Sequence, residues 1–138
     1  MGRWKGTLAL VASLGLVACG SPSPSEPSPE ALAGTWRAAW LQLPGQPVAN
    51  VPSGVTLSAT FGGDGRLALV ADCNRCSASW QASGSALTVG PVACTLAACP
   101  SAPLDTRFSG LVGAADTWEQ MGGQLELRSS AGIVRLER

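Results

Sequence analysis

The chain of 138 residues contains no histidine and no tyrosine, and its single lysine, Lys5, stands near the N-terminus. Beyond that point the imidazole base, the Schiff-base amine and the phenolic acid are all missing. Serine and threonine are plentiful, but none has a His or Lys to activate it, so serine-hydrolase chemistry has no base to draw on. Charge is scarce as well, at 13% of residues and a net of zero. Two of the nine basic residues are Arg3 and Lys5; the other seven, all arginines, face nine acids, with Glu26 and Glu30 supplying the excess. So neutral a surface has no field for gathering nucleic acid or anionic lipid, and neither is expected as a partner. These absences together point away from an enzyme: no catalytic residue, no cofactor and no metal site is expected.

The first eighteen residues read as a targeting segment. Arg3 and Lys5 form a basic start, and the run from Thr7 to Ala18 is apolar but too short for a membrane span with such flanks. Leu16-Val17-Ala18-Cys19-Gly20 is similar to a lipobox, in which the cysteine sulfur receives diacylglycerol, carrying acyl chains such as palmitate, and the chain is cut just before it. Ordinary secretory cleavage after Ala18 is the alternative, and it would leave Cys19 as a stray thiol in an oxidising compartment. Gly20 after the cysteine favours outer-membrane sorting. Residues 19–30 then comprise Cys19 and a Ser/Pro tether, which in extended polyproline form would hold a domain about 25–30 Å off the bilayer. Residues 31–138 are of a length for one domain.

Within that domain the apolar pattern has a period of two over short runs. Gly34–Leu43 reads as a first strand with Trp36, Ala38 and Trp40 on one face. Val55–Phe61 and Arg66–Ala71 alternate on either side of Gly62-Gly63-Asp64-Gly65, a hairpin turn rather than a phosphate loop, since no lysine or helix follows. Ser77–Gln81 and Ala86–Val89 form a second hairpin, and Gly90-Pro91 turns the chain into Val92–Ala98. Leu104, Phe108, Leu111 and Val112 then lie at helical spacing, giving one short helix with Ser101 as cap, Pro103 in its first turn, Asp105 at the positive end of the dipole and Gly113 as terminator. Three further strands, Asp116–Gln120, Gln124–Arg128 and Ile133–Glu137, complete the domain. About eight short strands hide their edges best by closing into a barrel.

Four cysteines remain after Cys19: Cys73, Cys76, Cys94 and Cys99. A thioredoxin-type site would need Cys73-x-x-Cys76 at a helix N-terminus, whereas a strand precedes and follows it. A four-cysteine zinc site would want two close pairs, but Cys94 and Cys99 are five apart. Two disulfides are therefore expected, and spacing leaves all three pairings open.

In chain order, Gly34-Thr35-Trp36-Arg37, Phe61-Gly62-x-Asp64-Gly65-Arg66-Leu67, Cys73-Asn74, Leu87-Thr88-Val89-Gly90-Pro91, Cys94-Thr95 through Cys99-Pro100, the helix with Phe108 and Leu111, and Trp118-Glu119 before Leu125-Glu126-Leu127 resemble the META domain of bacterial envelope lipoproteins, the HslJ type. Asp72 stands where that family often has Gly, Trp80 stands for its usual Tyr, and the second cysteine pair marks a subgroup. Gly34-x-Trp36 also resembles the opening of lipocalin-like barrels, whose Trp packs near an Arg of the closing strand; Arg135 and Arg138 are available. The resemblance implies a mostly β fold, a small lipocalin-like META barrel of about eight short strands with one short helix. It also implies the pairing Cys73–Cys99 and Cys76–Cys94. A disulfide closing the first loop would stabilise by roughly 3.5 kcal/mol on a chain-entropy basis.

Candidate ligand or interface residues are Trp36, Trp40, Trp80 and Trp118, together with Asn74 and Arg75 beside Asp72; Asp105 and Arg107 are expected to face solvent. The four tryptophans fill the barrel, line a cavity or serve an interface. A monomer anchored to the membrane through Cys19 and facing periplasm or exterior is expected, and the resemblance implies a role in envelope maintenance or stress tolerance. Two rival readings are an inhibitor or binding partner of another envelope or secreted protein, and a carrier of a small apolar ligand.

Overall fold

The structure, a computed structural model, describes residues 2, 6, 15, 16, 18–23 and 25–138. Arg3, Lys5 and most of the apolar run from Thr7 lie outside the described residues. Among those described, no helix is long and apolar enough to cross a membrane. They form ten strands and one α-helix, preceded by a turn of 3-10 helix at Pro29–Ala31. The strands are β1 (Gly34–Gln42), β2 (Ala49–Asn50), β3 (Leu57–Phe61), β4 (Arg66–Ala71), β5 (Asn74–Ser83), β6 (Ala86–Val89), β7 (Ala93–Cys94), β8 (Thr117–Met121), β9 (Gln124–Ser129) and β10 (Gly132–Glu137); α1 (Leu104–Ala114) separates β7 from β8.

Eight of these strands close into an antiparallel barrel in the order β1-β3-β4-β5-β6-β8-β9-β10, with β10 returning to β1. The two longest strands, β1 and β5, each serve two neighbours along one edge. β1 pairs with β3 at its start and with β2 further on, and β5 pairs with β7 and then β6. Tight hairpins connect most neighbours. In the β3–β4 turn, Gly65 adopts φ of 80°, which a β-carbon would resist, and its N–H donates to Gly62 O at 3.1 Å. The narrow seam is β6–β8, where Ala86 and Thr117 are the paired residues.

Inward-facing residues follow the two-residue period: Leu57, Ala59 and Phe61 on β3, Leu67, Leu69 and Ala71 on β4, Leu125 and Leu127 on β9, Val134 and Leu136 on β10. Trp36, Trp80 and Trp118 join them inside, with Trp80 edge-on to Phe61 at 5.3 Å. The buried indoles find partners where the backbone offers them: Trp36 Nε1 donates to Leu32 O at 2.8 Å and Trp80 Nε1 to Gly62 O at 3.0 Å. Phe108, Leu111 and Val112 of α1 pack over β4, β6, β9 and β10. At the start of β1, the Arg138 guanidinium lies 4.2 Å from the Trp36 ring centroid while donating to Ala31 O and Ala33 O. The C-terminal arginine therefore laces the last strand to the segment that leads into the first.

Several expectations are corrected. Trp40 does not share a face with Trp36 and Ala38. A bulge between Ala38 and Trp40 shifts the register, so Leu41 points inward and Trp40 lies outside against Arg135, 5.3 Å away. β5 begins at Asn74 rather than Ser77, and the segment after Gly90-Pro91 is a strand only at Ala93–Cys94. The helix starts from Pro103 without a side-chain cap, and Ser101 contributes its carbonyl to Leu104 N–H instead of its hydroxyl. Gly113 lies inside the helix. Its missing β-carbon admits Val92, whose side chain would come within 2.9 Å of that atom. Before the barrel, Ser25 and Pro27 border a groove shared with Trp118 and Arg128, and the Glu26 side chain lies close to Gly84.

Truncating the closing contact tests this packing. Trp36→Ala should cost about 3–5 kcal/mol in urea unfolding, as expected for a large buried aromatic. Arg138→Ala should cost less, because it removes the guanidinium and leaves the ring in place.

Candidate functional site

Large side chains fill the barrel axis: Trp36, Phe61, Leu67, Leu69, Leu125, Leu127 and Leu136 are each less than 2% exposed. A site must therefore be sought on the rim or the wall. The rim at the start of β5 concentrates the unusual chemistry of the chain. Here Cys73 is bonded to Cys99 and Cys76 to Cys94, so both ends of the segment 94–99 are joined to one four-residue stretch. Cys76 and Cys94 face each other across the β5–β7 pair, with Cα atoms 4.0 Å apart.

Between these two bonds the side chain of Asn74 acts as a surrogate strand. Its Oδ1 accepts from Ala97 N–H at 2.8 Å and from the Thr95 hydroxyl at 2.9 Å. Its Nδ2 donates to Ala97 O at 2.9 Å, and also lies 3.2 Å from Cys99 Sγ and 3.4 Å from Asp105 Oδ2. A primary amide offers two donors and an acceptor oxygen with two lone pairs, so every capacity of this side chain is used. The two bonds to Ala97 also fix which way the amide faces, because Ala97 N–H needs an acceptor and Ala97 O a donor. Arg75 adds backbone pairing: Thr95 N–H donates to Arg75 O, and Arg75 N–H to Thr95 Oγ1, both at 3.0 Å.

Thr95, Leu96, Ala97 and Ala98 are thereby held exposed, with the Leu96 side chain at 96% exposure. Under this loop runs a groove of 460 Å³ bordered by Ala71, Cys76, Leu96, Thr106 and Ser109. Asp105, only 3% exposed, stands at its end, and its Oδ1 has no hydrogen-bond partner. The Ser109 hydroxyl is engaged with Asp105 O and Thr106 O, so it is not poised as a nucleophile. Among the described residues no cluster of three or more His, Cys, Asp or Glu side chains could hold a metal. What this rim can do is present a rigid backbone and one apolar side chain.

The candidate residues separate accordingly. Asn74 and Arg75 belong to the rim. Arg75 Nη1 donates to the carbonyl oxygens of Asp72 and Asn74 rather than to the Asp72 carboxylate, which instead accepts from Ser101 N–H at 3.3 Å. Asp72 has φ of 55°, a left-handed conformation that glycine adopts without strain. Trp36, Trp80 and Trp118 are buried in the core, with Trp118 also bordering the groove beside Ser25 and Pro27. Trp40 sits on the outer wall with Arg135, beside Glu126, which ion-pairs with Arg135 and Arg128. Asp105 does not face solvent as expected, although Arg107 does. The signal was present, since Asp105 is three residues before Phe108 and so shares the apolar side of the helix. Cys19 is free and exposed.

A family model described as META domain matches residues 30–137. No curated protein matches the chain. Among solved structures, the fold is similar to an NMR structure of a protein from Burkholderia xenovorans, with a TM-score of 0.63 at 19% identity, covering 91% of this chain and 97% of that one. It is also similar to the crystal structure of a duf4847 family protein from Bacteroides vulgatus ATCC 8482, with a TM-score of 0.58 at 13% identity, covering 77% and 92%.

Removing the amide tests the rim. Asn74→Ala should lower stability by about 2–4 kcal/mol, because Ala97 N–H and Asp105 lose their partners. The Ala97 amide should then exchange its hydrogen faster than those of the barrel ladder. Asn74→Asp should not restore stability, since it keeps an acceptor but lacks the donor that Ala97 O and Asp105 require.

Proposed function

The chain belongs to the META domain family, and from that premise we propose that it is a non-catalytic, lipid-anchored envelope protein. Diacylglycerol on Cys19 holds it to a bacterial membrane, in the outer membrane by the Gly20 signal, with the barrel facing periplasm or exterior. Its role is envelope maintenance or stress tolerance.

The observation that carries this reading is the division of the cysteines. All four within the barrel are consumed in disulfides, which persist in an oxidising space, while Cys19 stands free and exposed ahead of a Ser/Pro segment. A free thiol there is a liability unless it carries a lipid. The filled interior speaks against the carrier of a small apolar ligand. The exposed, doubly bonded 94–99 rim supports a second reading, in which the protein binds or inhibits another envelope or secreted protein.

Fractionation and mass analysis test the anchor. The wild-type chain should partition with membranes and carry a diacylglycerol mass increment at Cys19, whereas Cys19→Ser should lose the increment and leave the membrane fraction. A wild-type protein with an unmodified Cys19 thiol in the soluble fraction would remove the proposal.

A further inference from the structure

We propose that the Cys94–Cys99 loop is a substrate-like inhibitory loop, directed at a serine endopeptidase whose primary pocket accepts leucine. Leu96 would fill that pocket and the Leu96–Ala97 peptide bond would lie across the catalytic serine. The proposal deepens the binding-partner reading and rests on it, but does not depend on the lipid anchor.

Shape supports the first half of the claim. Leu96 stands at 96% exposure, and Thr95, Ala97 and Ala98 around it are exposed and short. The segment from Thr95 to Cys99 is neither helix nor strand, and no residue from Cys94 to Pro100 carries a charge. A single apolar side chain therefore projects from an open stretch of backbone with nothing bulky beside it. A hydrophobic primary pocket selects for that kind of side chain. Because the loop is already held in place, binding would sacrifice little conformational freedom.

The second half rests on how the two sides of one peptide bond are tied. On the Leu96 side, Cys94 is bonded to Cys76, and Thr95 is paired to Arg75 through N–H and hydroxyl. On the Ala97 side, N–H and C=O both engage Asn74, and Cys99 is bonded to Cys73. Both sets of ties end on the same four residues of the β5 start. Attack by the protease serine oxygen on the Leu96 carbonyl would form an acyl ester and break the bond to Ala97, whose nitrogen takes the proton. Held beside the ester, that amine attacks the same carbonyl, re-forms the peptide bond and returns the serine its proton. Groups kept in contact in this way have effective concentrations far above those of free solutes, so resealing outruns hydrolysis. Asn74 Oδ1 also accepts from the Thr95 hydroxyl, so one side chain ties both flanks of that bond.

The full-length oxidised protein in detergent is titrated against chymotrypsin and subtilisin as probes, reading residual activity on a small chromogenic substrate. Stoichiometric loss of activity with the Leu96–Ala97 bond largely intact is expected. Leu96→Asp should weaken inhibition of chymotrypsin by about a hundredfold, as for a central anchor residue, and Leu96→Arg should transfer inhibition to trypsin. The exposure of Leu96 means both variants should melt with the wild type, which calorimetry checks. Asn74→Ala should convert the loop from inhibitor to cleaved substrate. Full protease activity at a several-fold excess of wild type, or rapid complete cleavage at Leu96–Ala97, overturns the proposal. If the loop is inert but an envelope partner crosslinks through another face, the loop proposal alone falls. An inert loop with no crosslinked partner removes the binding-partner reading as well.

Discussion

The amide of Asn74 is the contact on which the architecture of the rim depends. A loop on a barrel end has no ladder to satisfy its backbone, and a six-residue span between two cysteines would ordinarily be left to water. Here one buried side chain supplies the ladder that a strand would have supplied, engaging Ala97 on both N–H and C=O and reaching Thr95 and Asp105 as well. The disulfides limit how far the segment can wander, and the amide selects one conformation within that limit. Covalent and hydrogen-bond constraints act on the same few residues, so each makes the other less costly in entropy.

The barrel beneath supplies the rigid base for this arrangement. The chain is poor in aromatic residues, at 5%, yet it places three of its tryptophans and both phenylalanines inside. That choice fills the axis with side chains. α1 packs over β4, β6, β9 and β10, while Trp36, Leu32 and Arg138 meet at the start of β1. A binding site is therefore to be sought on the outer wall or the rim.

Much of this was legible in the residues. The β3–β4 hairpin follows from clean alternation on either side of a glycine-rich turn, and Ala86–Val89 is bounded in the structure as its pattern indicates. The apolar stripe of Leu104, Phe108, Leu111 and Val112 is enough to place the helix, because a helix this short has a single face to bury. Trp40 is where the same logic fails. Two-residue periodicity presumes an unbroken ladder, and the register of β1 against β10 shifts at Ala39, where β1 passes from pairing with β3 to pairing with β2. Asp105 failed for a different reason: its charge suggested solvent, and only the proximity of Asn74, thirty-one residues earlier, makes its burial tolerable.

The sequence by itself determined the period of the strands, the position of the helix and the presence of two staples, since each is a property of neighbouring residues or of a count. It also determined what chemistry is unavailable, because a side chain that is absent cannot be supplied by folding. Tertiary structure alone decided that the barrel is full, that Trp40 faces outward and that one asparagine holds a loop from another part of the chain. Those outcomes depend on distances between residues twenty or more positions apart, which only the closed sheet brings within bonding range.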